Sequence, residues 1–173
     1  MGAEERRERI LKLLSESARP LTGSDLARIL AVSRQVVVSD MAILRAAGGK
    51  IIATPQGYAL ASALGAAPHA RIFGSRHTPE ETEDELLTIV DYGGKVVDVT
   101  VEHPVYGELR GWLNIGSRED VRQFIHRLAE SDAKPLLTLT EGVHLHRVEG
   151  ADAAILDRIE TALREKGYLL EAR

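Results

Sequence analysis

The 173-residue chain is 28% charged and 44% hydrophobic with a formal net charge of −4, a folded, globular composition too rich in Ile, Leu and Val for a disordered chain. No apolar run approaches the ~20 residues a membrane span needs, and Met1-Gly2-Ala3-Glu4-Glu5-Arg6-Arg7 opens a charged helix rather than a signal peptide, so the expectation is a cytoplasmic protein without a membrane partner. The absence of cysteine excludes disulfides, thiolate catalysis and Cys-based zinc fingers, leaving His and carboxylate as the only ligands for a transition metal.

The length suits two modules, and the charge divides between them. Residues 1–62 carry nine Lys/Arg against six Asp/Glu, while residues 63–173 carry thirteen against twenty, so the halves are +3 and −7. A basic first module suits polyanion binding at one end only. Its first helix runs from about Ala3 to Ser17, with Ile10, Leu13 and Leu14 on one face. A short second helix follows the Thr22/Ser24 capping cluster and is expected to bury Leu26, Ile29 and Leu30. Ser33 then caps a third helix whose inner stripe is Val37, Met41 and Leu44.

Two helices joined through so short a turn, the second beginning Ser33-Arg34-Gln35, form the helix-turn-helix pattern. Arg34 has the reach for guanine O6/N7 or a phosphate, Gln35 for adenine N6/N7, Ser33 and Ser39 for phosphate oxygens, and Val36 for a thymine methyl. Ile51 to Thr54, a Pro55-Gln56-Gly57 turn and Tyr58 to Leu60 read as the hairpin wing of a winged helix. The expected partner is double-stranded operator DNA; the alternative is a three-helix protein-interaction module.

Residues 63–76 read as a junction, with Arg71 to His77 as an extended lead-in to a second module over 77–173. Thr78-Pro79-Glu80-Glu81 is a capping-box helix start, and Tyr92-Gly93-Gly94 ends that helix. Val97, Val99 and Val101, then Leu109, Gly111, Leu113 and Ile115, alternate as two hairpin strands. Ser117 caps a further helix, Pro135 to Leu139 reads as strand, and Ala151 to Lys166 closes the chain as a helix. The fold class is therefore α+β: an N-terminal winged helix-turn-helix plus a C-terminal α+β domain with an antiparallel sheet.

In the strand containing Val143-His144-Leu145-His146, residues i and i+2 share a face. His144 and His146 then stand side by side, with Val143 and Leu145 expected to face the core. His77 lies just before a helix that offers Glu80, Glu81, Asp84 and Glu85, any of which can complete a three-His, one-carboxylate set. Such a set suits a divalent transition metal, Zn, Ni or Fe, better than Mg or Ca.

The run His77-Thr78-Pro79-Glu80-Glu81 with Glu85-Leu86, then Ile89 to Gly94, Asp98 to Leu109, and Leu139 to His146, closely resembles the three-histidine ligand-binding domain. With the winged helix before it, essentially the whole chain resembles the niacin-responsive transcriptional repressors of the NiaR type. That resemblance implies a metal held by His77, Glu85, His144 and His146. It further implies nicotinic acid as co-repressor, NAD biosynthesis or niacin-uptake genes as targets, and a homodimer. Ser39 departs from the pattern, since recognition helices of this kind often carry a basic residue there, and this leaves the operator sequence open. His103, ending a strand before Pro104, is a candidate effector contact; the alternative is a turn histidine bonded to nearby backbone.

No general base, phosphate loop or Ser-His-Asp order accompanies the histidines, so an enzyme is not expected. Two competing functions are a regulator that answers to the metal alone and a metal-dependent hydrolase fused to a DNA-binding domain.

Overall fold

The structure is a computed structural model that describes residues 1–64 and 69–171, and it divides into two compact units, Met1–Ala66 and Ala67–Arg173. Residues 65–68 of the expected junction lie outside the described residues. No helix among those described is long and apolar enough to cross a membrane.

The first unit contains helices α1 (Ala3–Glu16), α2 (Gly23–Leu30) and α3 (Arg34–Ala46) and a hairpin of β1 (Ile51–Thr54) and β2 (Gly57–Leu60). Thr22 and Ser33 cap α2 and α3, each accepting from the backbone N–H three residues on. Ile10, Leu14, Leu26, Leu30, Val37, Met41, Leu44 and Ile51 close one core. Ile29, expected inside, is 50% exposed, and Ala27 turns inward in its place, because an eight-residue helix can present only a narrow stripe to its neighbours. Leu21 and Tyr58 exchange backbone hydrogen bonds of 2.9 and 2.8 Å, which ties the wing to the start of α2. Gly57 makes this possible: its φ is +132°, and a Cβ there would lie 2.5 Å from the Leu21 carbonyl.

In the second unit, β3 (His69–Arg76), α4 (Thr82–Asp91), β4 (Lys95–His103), β5 (Gly107–Ile115), α5 (Arg118–Glu130), β6 (Val143–Gly150) and α6 (Ala153–Glu165) follow in order. The four strands form one antiparallel sheet, ordered β3-β6-β4-β5. Residues 69–76, expected in the junction, are thus an edge strand of this sheet, because Phe73 and Ser75 alternate into the core. Leu86 and Ile89 of α4, Val121 of α5 and Leu156, Ile159 and Leu163 of α6 cover one face, meeting Phe73, Val96, Leu113, Ile115 and Val148.

Two expectations are corrected here. Pro135 to Leu139, expected as strand, leads instead into a 3-10 turn over Leu136–Thr140. Thr138 donates its hydroxyl to the carbonyl three residues back, Pro135, which supplies the backbone with a local alternative to a ladder, and Thr140 donates its own forward to the Val143 carbonyl. The strand β6 also faces the opposite way from the expected one. His144, His146 and Val148 point into the helix-covered interior, whereas Val143 and Leu145 are 37% and 41% exposed. Histidines are able to take the inner face because their ring nitrogens are bonded there.

Candidate metal centre and recognition helix

Three elements build one buried polar cluster. The residue just after β3 is His77, α4 supplies Glu85 and β6 supplies His144 and His146. All four residues are buried, Glu85 completely. The Nε2 atoms of His77, His144 and His146 lie 2.6, 3.0 and 3.3 Å from a single oxygen, Glu85 Oε2. The donor atoms of His77, Glu85 and His144 all lie within 4.8 Å of one another, close enough to share an ion.

Each ring is oriented from behind by backbone. Nδ1 of His77 donates to the Thr78 carbonyl at 2.8 Å, that of His144 to Gly142 at 2.8 Å, and that of His146 to Asp98 at 2.7 Å. A carbonyl can only accept, so all three Nδ1 atoms carry hydrogen, and Nε2 is the atom that takes either a metal or a second proton. Gly142 adopts φ +90°, and a Cβ there would sit 2.3 Å from the His77 carbonyl, so only glycine brings this loop against the centre.

Burial pushes the His77 and His146 pKa values down, but the Glu85 carboxylate more than offsets this and both end above the ordinary value. Burial pushes Glu85 up, yet the surrounding imidazoles hold it well below the usual carboxylate range. With the three Nε2 atoms protonated, three positive charges would gather around one carboxylate; with three neutral rings, the same atoms are a ligand set for one divalent ion. Glu85 Oε1, Ser75 Oγ and Thr82 Oγ1 are also buried without a hydrogen-bond partner among the described residues. A neutral-imidazole and carboxylate set with a spare carboxylate oxygen fits a divalent transition metal.

The other acidic candidates are occupied elsewhere. Glu81 accepts from the Thr78 N–H at 2.8 Å, Asp84 binds Lys166 and Tyr168, and Glu80 is exposed. His103 is not brought into the cluster. Its Nδ1 accepts from the backbone N–H groups of Val105 and Tyr106 in the β4–β5 turn, five residues along the strand from Asp98 and so roughly 16 Å away. Beside the centre, an open cavity of about 590 Å³ is lined by Arg76, His77, Thr78, Leu137, Glu141 and Gly142 among others.

Sequence reasoning missed Tyr168, whose ring packs 5.1 Å from the His77 ring, and the three orienting carbonyls. Backbone acceptors have no residue signature, and Tyr168 lies far along the chain from His77.

In the first unit, Ser33, Arg34, Gln35 and Ser39 are exposed at the start of α3 and Val36 is half-buried. The Ser33 oxygen is engaged as an acceptor from Val36 N–H at 3.3 Å, which leaves its hydrogen to donate. Ser39 donates its hydrogen to the Gln35 carbonyl at 3.1 Å, so a phosphate contact there requires exchanging partners. The Arg34 stem runs beside Gly23 and keeps its charge at the surface. Behind the helix, Asp40 is buried and accepts from Arg6 Nε at 2.5 Å, fixing α3 to α1.

Comparison with known proteins agrees with both halves. Residues 6–59 match a family described as an HTH domain, and residues 70–172 match one described as the 3H domain. The chain is 46% identical to the probable transcription repressor NiaR of Thermotoga maritima, over 97% of this chain and 95% of that protein. It is 45% identical to the transcription repressor NadR of Bacillus subtilis, over 99% of this chain and 96% of that protein.

Proposed function

Because this chain belongs to the family of 3H-domain transcription repressors that includes NiaR and NadR, we propose that it represses genes of NAD biosynthesis or niacin uptake with nicotinic acid as co-repressor. The proposal includes a divalent transition metal in the regulatory unit, a homodimer on operator DNA and a cytoplasmic location. The observation that carries it is the convergence of three Nε2 atoms on one Glu85 oxygen, each ring held by a carbonyl.

His77, Glu85, His144 and His146 would hold the ion, which supplies a Lewis-acid position for a carboxylate or a pyridine nitrogen. The carbonyls of Thr78, Gly142 and Asp98 hold hydrogen on Nδ1 of each ring and so leave Nε2 as the atom for the ion. The adjoining cavity has Arg76 in its wall to meet the carboxylate of a small organic acid, alongside Glu81 and Glu141. On the DNA side, Arg34, Gln35 and Val36 meet base edges in the major groove while Ser33 and Ser39 meet phosphates. Co-repression is linkage: the acid stabilises the dimer geometry whose recognition helices are about 34 Å apart, and roughly 1–3 kcal/mol of coupling gives an approximately 5- to 150-fold change in operator affinity.

The test is calorimetric titration of nicotinic acid, with nicotinamide as control, into metal-loaded and chelator-stripped protein. Binding of the acid to the metal-loaded form alone is expected. No binding to either form overturns the niacin reading. The near-complete burial of the four groups favours one second reading, in which the metal is itself the signal. That reading requires operator affinity to follow metal concentration with no organic acid present.

A further inference from the structure

A side chain outside the ligand set faces His77. Tyr168 follows α6 directly after Gly167, which has φ +77° and turns the chain back toward the sheet. The segment it opens then runs along the free side of β3. Arg76 N–H donates to the Tyr168 carbonyl at 2.8 Å, Ser75 bridges to Leu169, and Leu170 N–H donates to the Gly74 carbonyl at 2.9 Å. Residues 168–170 are thus a short strap on the strand that ends in His77.

The Tyr168 ring lies against the His77 ring, with centroids 5.1 Å apart and planes at 59°. Its hydroxyl donates to Asp84 Oδ2 at 2.7 Å, and Lys166 Nζ contacts both oxygens of Asp84 at 2.8 and 2.7 Å. Asp84 precedes Glu85 on α4. Adjacent residues of one rigid helix therefore hold the centre and the tyrosine that bounds it. His77 is restrained on three sides: by the Thr78 carbonyl at Nδ1, by Glu85 at Nε2 and by Tyr168 across its ring. His146 sits inside β6 with Phe73 of β3 and Val99 of β4 paired to it on either side, and His144 pairs with Ser75 of β3, whereas His77 stands just beyond the last residue of an edge strand.

We infer that Tyr168, anchored by Asp84 and Lys166, is a positioning residue for His77, and that the 168–170 strap sets the affinity of the three-histidine centre for its metal. The inference rests on the metal reading of that centre. Residues that orient a metal ligand from behind typically account for 10- to 100-fold in metal affinity.

The experiment uses the full-length chain, stripped of metal and titrated with Co²⁺ while its visible d–d absorption and affinity are followed. Tyr168→Ala is expected to weaken Co²⁺ binding by about 10- to 100-fold and to alter the spectrum. Tyr168→Phe, which keeps the ring and loses the anchor, is expected to weaken it roughly fivefold, the size of one hydrogen bond. Ile159→Val trims the same core without touching His77 and separates positioning from stability: it is expected to lower the unfolding midpoint and leave affinity and spectrum unchanged. Wild-type affinity and spectrum in both Tyr168 variants overturn the inference. If the wild-type chain takes up no Co²⁺, Ni²⁺ or Zn²⁺, the metal reading fails. Positioning is then read from the His77 ring resonances of the metal-free Tyr168→Phe variant, in which the neighbouring ring is retained: they shift if the inference holds and stay in place if it does not.

Discussion

The winged helix keeps its candidate functional side chains outside a finished core, whereas the 3H unit places its own candidates inside. Arg34, Gln35 and Ser39 can be changed without disturbing Val37, Met41 or Leu44. Glu85 and the histidines share the sheet face with Phe73 and Val148, so a change there alters packing, charge and ligand set together. Exposed recognition separates function from stability; buried recognition joins them.

The largest test of that contrast is Glu85→Ala. Removing the carboxylate leaves three imidazoles around a void, and breaking a buried ionic cluster costs about 3–5 kcal/mol. Metal binding should disappear and the second unit should unfold earlier by fluorescence of Trp112, the single tryptophan. An unchanged midpoint would mean that this cluster contributes nothing to stability. Arg34→Ala is next. Operator affinity, measured by anisotropy on a duplex selected from a random pool with the wild-type protein, should fall by about 1–3 kcal/mol, while stability stays within about 0.5 kcal/mol. Equal binding of operator and random DNA by variant and wild type would remove α3 from the interface. Ser33→Ala blurs the contrast slightly, because Ser33 is both a cap and a candidate phosphate contact. It should cost the first unit about 1 kcal/mol, read by circular dichroism.

The smallest effect is in pH. In the chelator-stripped protein, Glu85 is held below its ordinary 4.5, so its contribution is present above that pH and is lost as pH falls through the lowered value. His77 and His146 are held above 6.5, so their contribution is present below 6.5 and is lost as pH rises through the raised values. The metal-free second unit should therefore be most stable between about 4.5 and 6.5. Metal loading should move that optimum upward, since uptake expels the Nε2 protons. Denaturation followed at Trp112 across this range, with and without metal, shows whether the optimum moves.

Periodicity placed most elements well, because each buried stripe repeats within its own element: Val37, Met41 and Leu44 in α3, Ile159 and Leu163 in α6. It failed where local rules compete. Leu136–Thr140 has strand composition, but the Thr138 N–H and hydroxyl both bond the Pro135 carbonyl and close it into a 3-10 turn. His69–Arg76 contains Gly74 and charged residues that resemble a linker, yet its partner β6 lies far away in sequence. The inward turn of His144 and His146 failed for a related reason. Hydropathy puts Val143 and Leu145 inside, and only a carboxylate arriving from α4 makes the imidazoles the better core residues.

By itself the sequence determined the order of most elements, the helix caps, a candidate recognition helix with a polar start, and histidines spaced so that two share a strand face. These follow from interactions within a few residues. Which carboxylate joins the histidines, which face of β6 is buried and which tyrosine bounds His77 were decided by tertiary structure alone. Glu81, Asp84 and Glu85 are equivalent as letters on one helix start, and they differ only in what the fold carries to each: the Thr78 amide, Lys166 with Tyr168, and three imidazoles.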